Sequence, residues 1–161
     1  MNNFKEKLFI NILFISCILI LTSAFVIEYI FGYQPCNLCI IERIPYILSI
    51  LILILNYKIK GNQIFFSVLL ILVFFFSILI SLYHFGIEQG FINESTICKS
   101  NDINITTKEG ILKSFQEFRI SCKNVAFKIM GLSLTTYNII ISLFMFLLST
   151  KIYLLSNDIK K

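Results

Sequence analysis

Three stretches of this chain, Leu8 to Ile27, Ile64 to Tyr83 and Ile129 to Thr150, run for twenty, twenty and twenty-two residues without an Asp, Glu, Lys or Arg. Each is long enough to cross about 30 Å of hydrocarbon as a helix. A fourth run, Ile44 to Tyr57, has only fourteen such residues. It reaches the roughly twenty a span needs if its helix starts earlier and takes in Cys39, Glu42 and Arg43. With 57% hydrophobic and 14% charged residues and a mean hydropathy of +0.85, the chain is too apolar for a soluble domain. The expected fold is an all-α integral membrane protein, an antiparallel four-helix transmembrane bundle with spans at about 8–28, 40–57, 64–84 and 131–152. No internal repeat or linker divides it, so residues 1–161 are expected to form a single membrane domain.

Sidedness follows from Lys and Arg near the span ends, which stay cytoplasmic. Lys5 and Lys7, then Lys58 and Lys60, then Lys151, Lys160 and Lys161 mark the N-terminal tail, the second connection and the C-terminal tail. Both termini are therefore expected in the cytoplasm, with the loops at about 29–39 and 85–130 outside. The long second loop is nearly neutral, so the net charge of +5 expresses topology and implies no nucleic-acid partner. The first apolar run exceeds the 7–15 residues of a signal-peptide core, and a retained span is expected there.

Four of the five cysteines fall in or beside the outer loops: Cys36 and Cys39 as a Cys-x-x-Cys pair, Cys98 and Cys122 as a separated one. Outside the cytoplasm such pairs default to disulfides, and two structural staples would satisfy the pattern. The first pair invites a second reading. Pro35 suits a first helical turn, which puts Cys36 and Cys39 at a helix N-terminus, where free N–H groups and the dipole favour a thiolate. Arg43, four residues beyond Cys39, adds a permanent cation on the same face. No metal site is expected, because the wide separation of Cys98 from Cys122 does not match paired zinc ligands. Cys17, mid-span, reads as an apolar packing residue.

The stretch from Gln34 to Arg43, Gln-Pro-Cys-Asn-Leu-Cys-Ile-Ile-Glu-Arg, resembles the first outer loop of the bacterial disulfide bond formation protein B family (DsbB). Tyr83 to Gly90 (Tyr-His-Phe-Gly-Ile-Glu-Gln-Gly) and Gly131 to Leu134 (Gly-Leu-Ser-Leu) are similar to it as well, as is the order of spans and cysteine pairs. The resemblance implies a bacterial inner-membrane enzyme that reoxidises a periplasmic thioredoxin-like thiol oxidase (DsbA-like) and passes the electrons to ubiquinone or menaquinone. It implies redox-active disulfides Cys36–Cys39 and Cys98–Cys122, with Cys98 taking the partner's thiolate and a transient Cys36–Cys122 link. It also implies Cys39 as the thiolate facing quinone, beside Arg43. A DsbA-like protein near about −120 mV needs a strong final acceptor, which the quinone pool in the membrane provides.

His84, the sole histidine, falls at the outer end of the third span, suited either to quinone contact and proton delivery or to anchoring at the interface. If the helix continues, Glu88 lies one turn on and can orient it. In the long loop Thr106 to Glu109 offers a capping box, followed by Ile111, Leu112, Phe115 and Phe118 at helical spacing. A short amphipathic helix lying on the lipid surface is expected there. The Asn93 and Asn104 sequons carry no assigned function, and Phe91 and Ile92 stand where the family often has tryptophan. Two alternatives remain. One is a membrane scaffold with two structural disulfides; the other is a quinone reductase like the vitamin K epoxide reductases, in which the separated cysteine pair comes first.

Overall fold

A computed structural model describes residues 2–59, 62–93, 98, 122–123, 128–129 and 131–160. Its helices are α1 (Asn2–Tyr29), α2 (Asn37–Ile41), α3 (Ile44–Lys58), α4 (Gln63–Glu88) and α5 (Leu134–Lys160). A two-residue antiparallel pairing precedes α5, with β1 (Lys128–Ile129) against β2 (Leu132–Ser133) in the register Lys128 to Ser133. The stretches Phe4–Tyr29, Asn37–Lys58, Gln63–Glu88 and Leu134–Asp158 are long and apolar enough to cross a membrane, making this a multi-pass membrane protein. The long-loop amphipathic helix lies outside the described residues.

Two boundaries differ from expectation. The fourth span starts at Leu134, after Gly131 adopts φ +82° in the tight turn between β1 and β2. Ser133 then opens the helix, its Oγ accepting the backbone N–H of Thr136 at 3.3 Å. The second span is not one continuous helix. Pro45 has no N–H and its ring collides with the carbonyl four residues back, so the helix that starts at Asn37 stops at Ile41 and resumes at Ile44. Glu42 and Arg43 occupy the break, closed by Glu42 N–H to Leu38 O (2.9 Å) and Arg43 N–H to Ile40 O (3.1 Å).

The spans close a ring in the order α1, α3, α4, α5, each packing on its neighbours. Leu13, Cys17, Leu53, Leu70, Phe74 and Met145 fill the centre, so Cys17 is the packing residue its position suggests. Leu19, Phe65 and Phe76 stay exposed on the outer faces, where lipid is the solvent. Within the bundle small hydroxyl residues let helices approach and pair across the interfaces. Ser77 Oγ meets Ser142 Oγ at 2.9 Å, Tyr46 Oη donates to Asn138 Oδ1 at 2.6 Å, and Asn138 Nδ2 donates to Ser81 Oγ at 2.8 Å. At the end carrying the termini, Ser156 Oγ donates to the buried Glu6 at 2.6 Å, joining α5 to α1.

Tyr46 ties α3 to α5 by one donated bond and a 3.1 Å contact with Ser142. We expect Tyr46→Phe to lower stability by about 1 kcal/mol, the scale of a polar contact between membrane helices. Reversible unfolding in mixed micelles measures it.

Candidate functional site

Cys36 is the N-cap of α2, with extended backbone (φ −71°, ψ 169°) as a cap requires. Its Sγ accepts the backbone N–H of Cys39 at 3.3 Å and lies 2.8 Å from Cys39 Sγ. The pair stands as two free thiols, one of the two states that a redox-active Cys36–Cys39 pair passes through. From α4, His84 Nε2 comes within 3.6 Å of Cys36 Sγ. These contacts lower the Cys36 thiol from its usual 9.0 to about 4. The Cys39 hydrogen bond acts most strongly, burial opposes it, and His84 adds a hydrogen bond and charge attraction. In the dithiol the stabilised thiolate is thus at Cys36; the Cys39 thiolate that the resemblance implies belongs to the state in which Cys36 is linked to Cys122. The Cys39 thiol and His84 do most of this, and the cap position adds the free N–H of the first turn.

The Pro45 break sends its two charged residues in different directions. Glu42, buried, accepts from His84 Nδ1 at 3.0 Å, with Thr135 Oγ1 of α5 3.4 Å from the same nitrogen. This fixes the ring so that Nε2 faces Cys36. Glu88 does lie on the continued helix α4, yet the group that orients His84 is Glu42, which arrives from across the bundle. Arg43 turns instead to α1, where its Nη1 donates to Glu28 at 2.5 Å and the guanidinium lies 5.2 Å from the centre of the Phe25 ring.

Cys98 and Cys122 are joined by a disulfide with Cα atoms 5.4 Å apart. Both are buried in one cluster with Cys36, Leu38 and Ile87, and Cys39 and Ile41 pack against it. The Cys98–Cys122 disulfide therefore sits beside the N-terminus of α2 and its Cys-x-x-Cys pair. Below it lies a cavity of about 190 Å³ that Cys36, Cys39, Arg43, His84 and Cys122 all line. Ile20, Leu21, Ala24 and Ile141 give it an apolar wall.

Thus five of the six residues singled out in the sequence meet at one cavity, and Cys98 joins them through its bond to Cys122. Sequence reasoning missed Glu28, Glu42 and Thr135. Glu42 was the visible signal, as a carboxylate inside a membrane span marks a functional position unless paired, and here the pairing is to the site itself.

Membrane helices that carry a cap-position Cys-x-x-Cys against a loop disulfide have a counterpart among known proteins. The family described as disulfide bond formation protein DsbB matches residues 6–152. The chain belongs to the DsbB family. It is accordingly a membrane protein of disulfide bond formation, and disulfide oxidoreductase chemistry is the family's mark on its cysteines. An uncharacterised protein of Rickettsia prowazekii (strain Madrid E) is 35% identical over 130 residues, covering 78% of this chain and 75% of that protein. No solved structure matches the chain.

The lowered Cys36 pKa sets a sign. A thiol near about 4 is already thiolate at neutral pH and loses that form only as pH falls through the folded value, whereas an ordinary thiol of 9.0 loses it on going below 9. In the reduced family member, Cys36 alkylation should stay nearly constant between pH 8 and about 5, where a thiol of ordinary pKa slows about tenfold per unit. Mass spectrometry of timed iodoacetamide reactions reads this, and His84→Ala should bring the fall to higher pH.

Proposed function

We propose that the protein is a quinone-linked thiol oxidase of the bacterial inner membrane that regenerates a periplasmic thioredoxin-like, DsbA-like oxidase. Both termini lie in the cytoplasm, as the placement of Lys5, Lys7, Lys58, Lys60 and Lys151 suggests. The observation that carries the reading is the buried cluster holding Cys36, Cys98 and Cys122, which packs the two cysteine pairs against each other.

In the proposed relay, a partner thiolate attacks Cys98 Sγ and the Cys98–Cys122 bond breaks, leaving a Cys122 thiolate. That thiolate attacks Cys36 of an oxidised Cys36–Cys39 pair, so a Cys36–Cys122 bond forms and Cys39 leaves as the thiolate. The partner's second thiol then releases its own disulfide, the loop disulfide re-forms, and the electron pair rests on Cys36 and Cys39. In that last state the Cys98–Cys122 bond is intact and Cys36 and Cys39 are thiols, the pattern of bonds in the structure.

The cavity suits a quinone head group: an apolar wall for the ring, with Arg43 and His84 as donors for its carbonyl oxygens. Quinone, when bound, supplies the two-electron acceptor. Glu28 and Phe25 hold the Arg43 guanidinium in place, so a permanent positive charge faces the side of the cavity where negative charge develops. Glu42 and Thr135 hold His84 for proton movement at Nε2.

The decisive experiment adds pre-reduced protein to stoichiometric ubiquinone without oxygen, counting thiols and following quinone absorbance. We expect two thiols lost per quinone reduced, and none with Cys39→Ser. No quinone loss, repeated with menaquinone, would refute the reading. Arg43→Ala should raise the quinone KM by about tenfold to a hundredfold, matching the roughly 1.5–3 kcal/mol of a charged hydrogen bond, and leave exchange with the thiol donor unchanged. Equal loss in both half-reactions would remove Arg43 from the acceptor side.

A further inference from the structure

The spacing of the cysteines gives no zinc-finger pattern, yet the fold adds a donor that spacing cannot reveal. Cys36, Cys39 and His84 each offer one ligand atom, and these atoms all lie within 4.8 Å of one another. Among the described residues they are the one such trio of His, Cys, Asp and Glu groups. We propose that the reduced Cys36–Cys39 dithiol and His84 form a Zn²⁺ site that exists only in the dithiol state and closes the pair against oxidation.

Three observations support it. The first is geometric. With Zn–S of about 2.3 Å and Zn–N of about 2.0 Å, a tetrahedral centre separates sulfur from nitrogen by about 3.5 Å and sulfur from sulfur by about 3.8 Å. Cys36 Sγ and His84 Nε2 already stand at 3.6 Å, and the sulfurs, at 2.8 Å, have only to open by about 1 Å through side-chain rotation. The second lies behind the ring. A ligating histidine donates its other nitrogen to a carboxylate that fixes the ring, and Glu42 Oε1 sits 3.0 Å from His84 Nδ1 in that role. The third is access: Cys36, Cys39 and His84 all line the cavity, so three protein donors leave a fourth position facing open space.

The chemistry involves no electrons. Zn²⁺ bonds to both sulfurs and Nε2, and the proton on Nε2 and any still on the dithiol pass to solvent. Oxidation of Cys36 and Cys39 to a disulfide removes both thiolates and abolishes the site. Metal occupancy and disulfide formation therefore exclude each other, and a Zn²⁺-loaded protein holds its electrons. The binding itself needs no quinone, so its test stands apart from the oxidase reading.

The full-length protein in detergent, reduced and then freed of reductant under anaerobic conditions, is titrated with Co²⁺ as a spectroscopic stand-in. We expect one Co²⁺ per reduced chain, with a thiolate-to-metal band and the intense visible bands of four-coordinate cobalt, bleached by one equivalent of Zn²⁺. The protein oxidised at Cys36 and Cys39 should show none of these bands. Zn²⁺ should slow alkylation of both cysteines at least tenfold in the parent protein, reversed by chelator, a readout that needs no variant. Glu42→Ala should weaken Zn²⁺ binding about 10–100-fold, as loss of such a supporting partner does, and Cys17→Ala should change nothing. Equal cobalt spectra in oxidised and reduced protein, undiminished affinity in His84→Ala, or alkylation unaffected by Zn²⁺ would each overturn the site.

Discussion

Backbone amides in hydrocarbon must find their partners inside the chain, and this protein interrupts a span only where side chains and neighbouring helices cover the gap. The interruption at Glu42 and Arg43 follows from Pro45, and its stray N–H groups are taken up by the carbonyls of Leu38 and Ile40. From that irregular turn the site is built. A continuous helix would place residues 42 and 43 about 100° apart around one axis; the break directs Glu42 to α4 and Arg43 to α1.

Two charged side chains at this depth are costly unless each meets an opposite or hydrogen-bonding partner. Arg43 has Glu28 and the face of Phe25; Glu42 has His84. These pairings leave the sulfur of Cys36 as the point where donors converge without a compensating negative group of their own, which is the physical source of its acidity. Helix capping does for the thiol what an oxygen side chain usually does at an N-cap, and ties the reactive atom to the first turn of a rigid element.

Much of this architecture was legible in the residues. Charge-free runs revealed three spans outright, since length and hydropathy are local properties, and a fourth once its helix was carried back over Glu42 and Arg43; Pro35 before Cys36 marked a helix start. Ser133 as the true start of the last helix was less visible, because Gly131 to Leu134 reads equally as apolar span until the turn at Gly131 is known. The pairing of His84 was beyond reach. Local reasoning offers the residue one turn away, Glu88, whereas Glu42 is separated by 42 positions and becomes a neighbour only when α3 packs on α4. Thr135 was hidden for the same reason.

The site draws on every element of the ring: Glu28 from α1, Cys36 and Cys39 from α2, Arg43 from the break before α3, His84 from α4 and Thr135 from α5. During synthesis, the cysteine pair enters the membrane roughly one hundred residues before Thr135 leaves the ribosome, with no buried carboxylate–imidazole couple beside it until α4 arrives and no closed cavity until α5 does. Until α4 arrives the pair therefore lacks what His84 contributes to Cys36, while its contacts with Cys39 are local to α2. Completion of the last helix closes the wall that Thr135, Asn138 and Ile141 give the cavity, so an unfinished or truncated chain carries the cysteine pair without the enclosed pocket beside it.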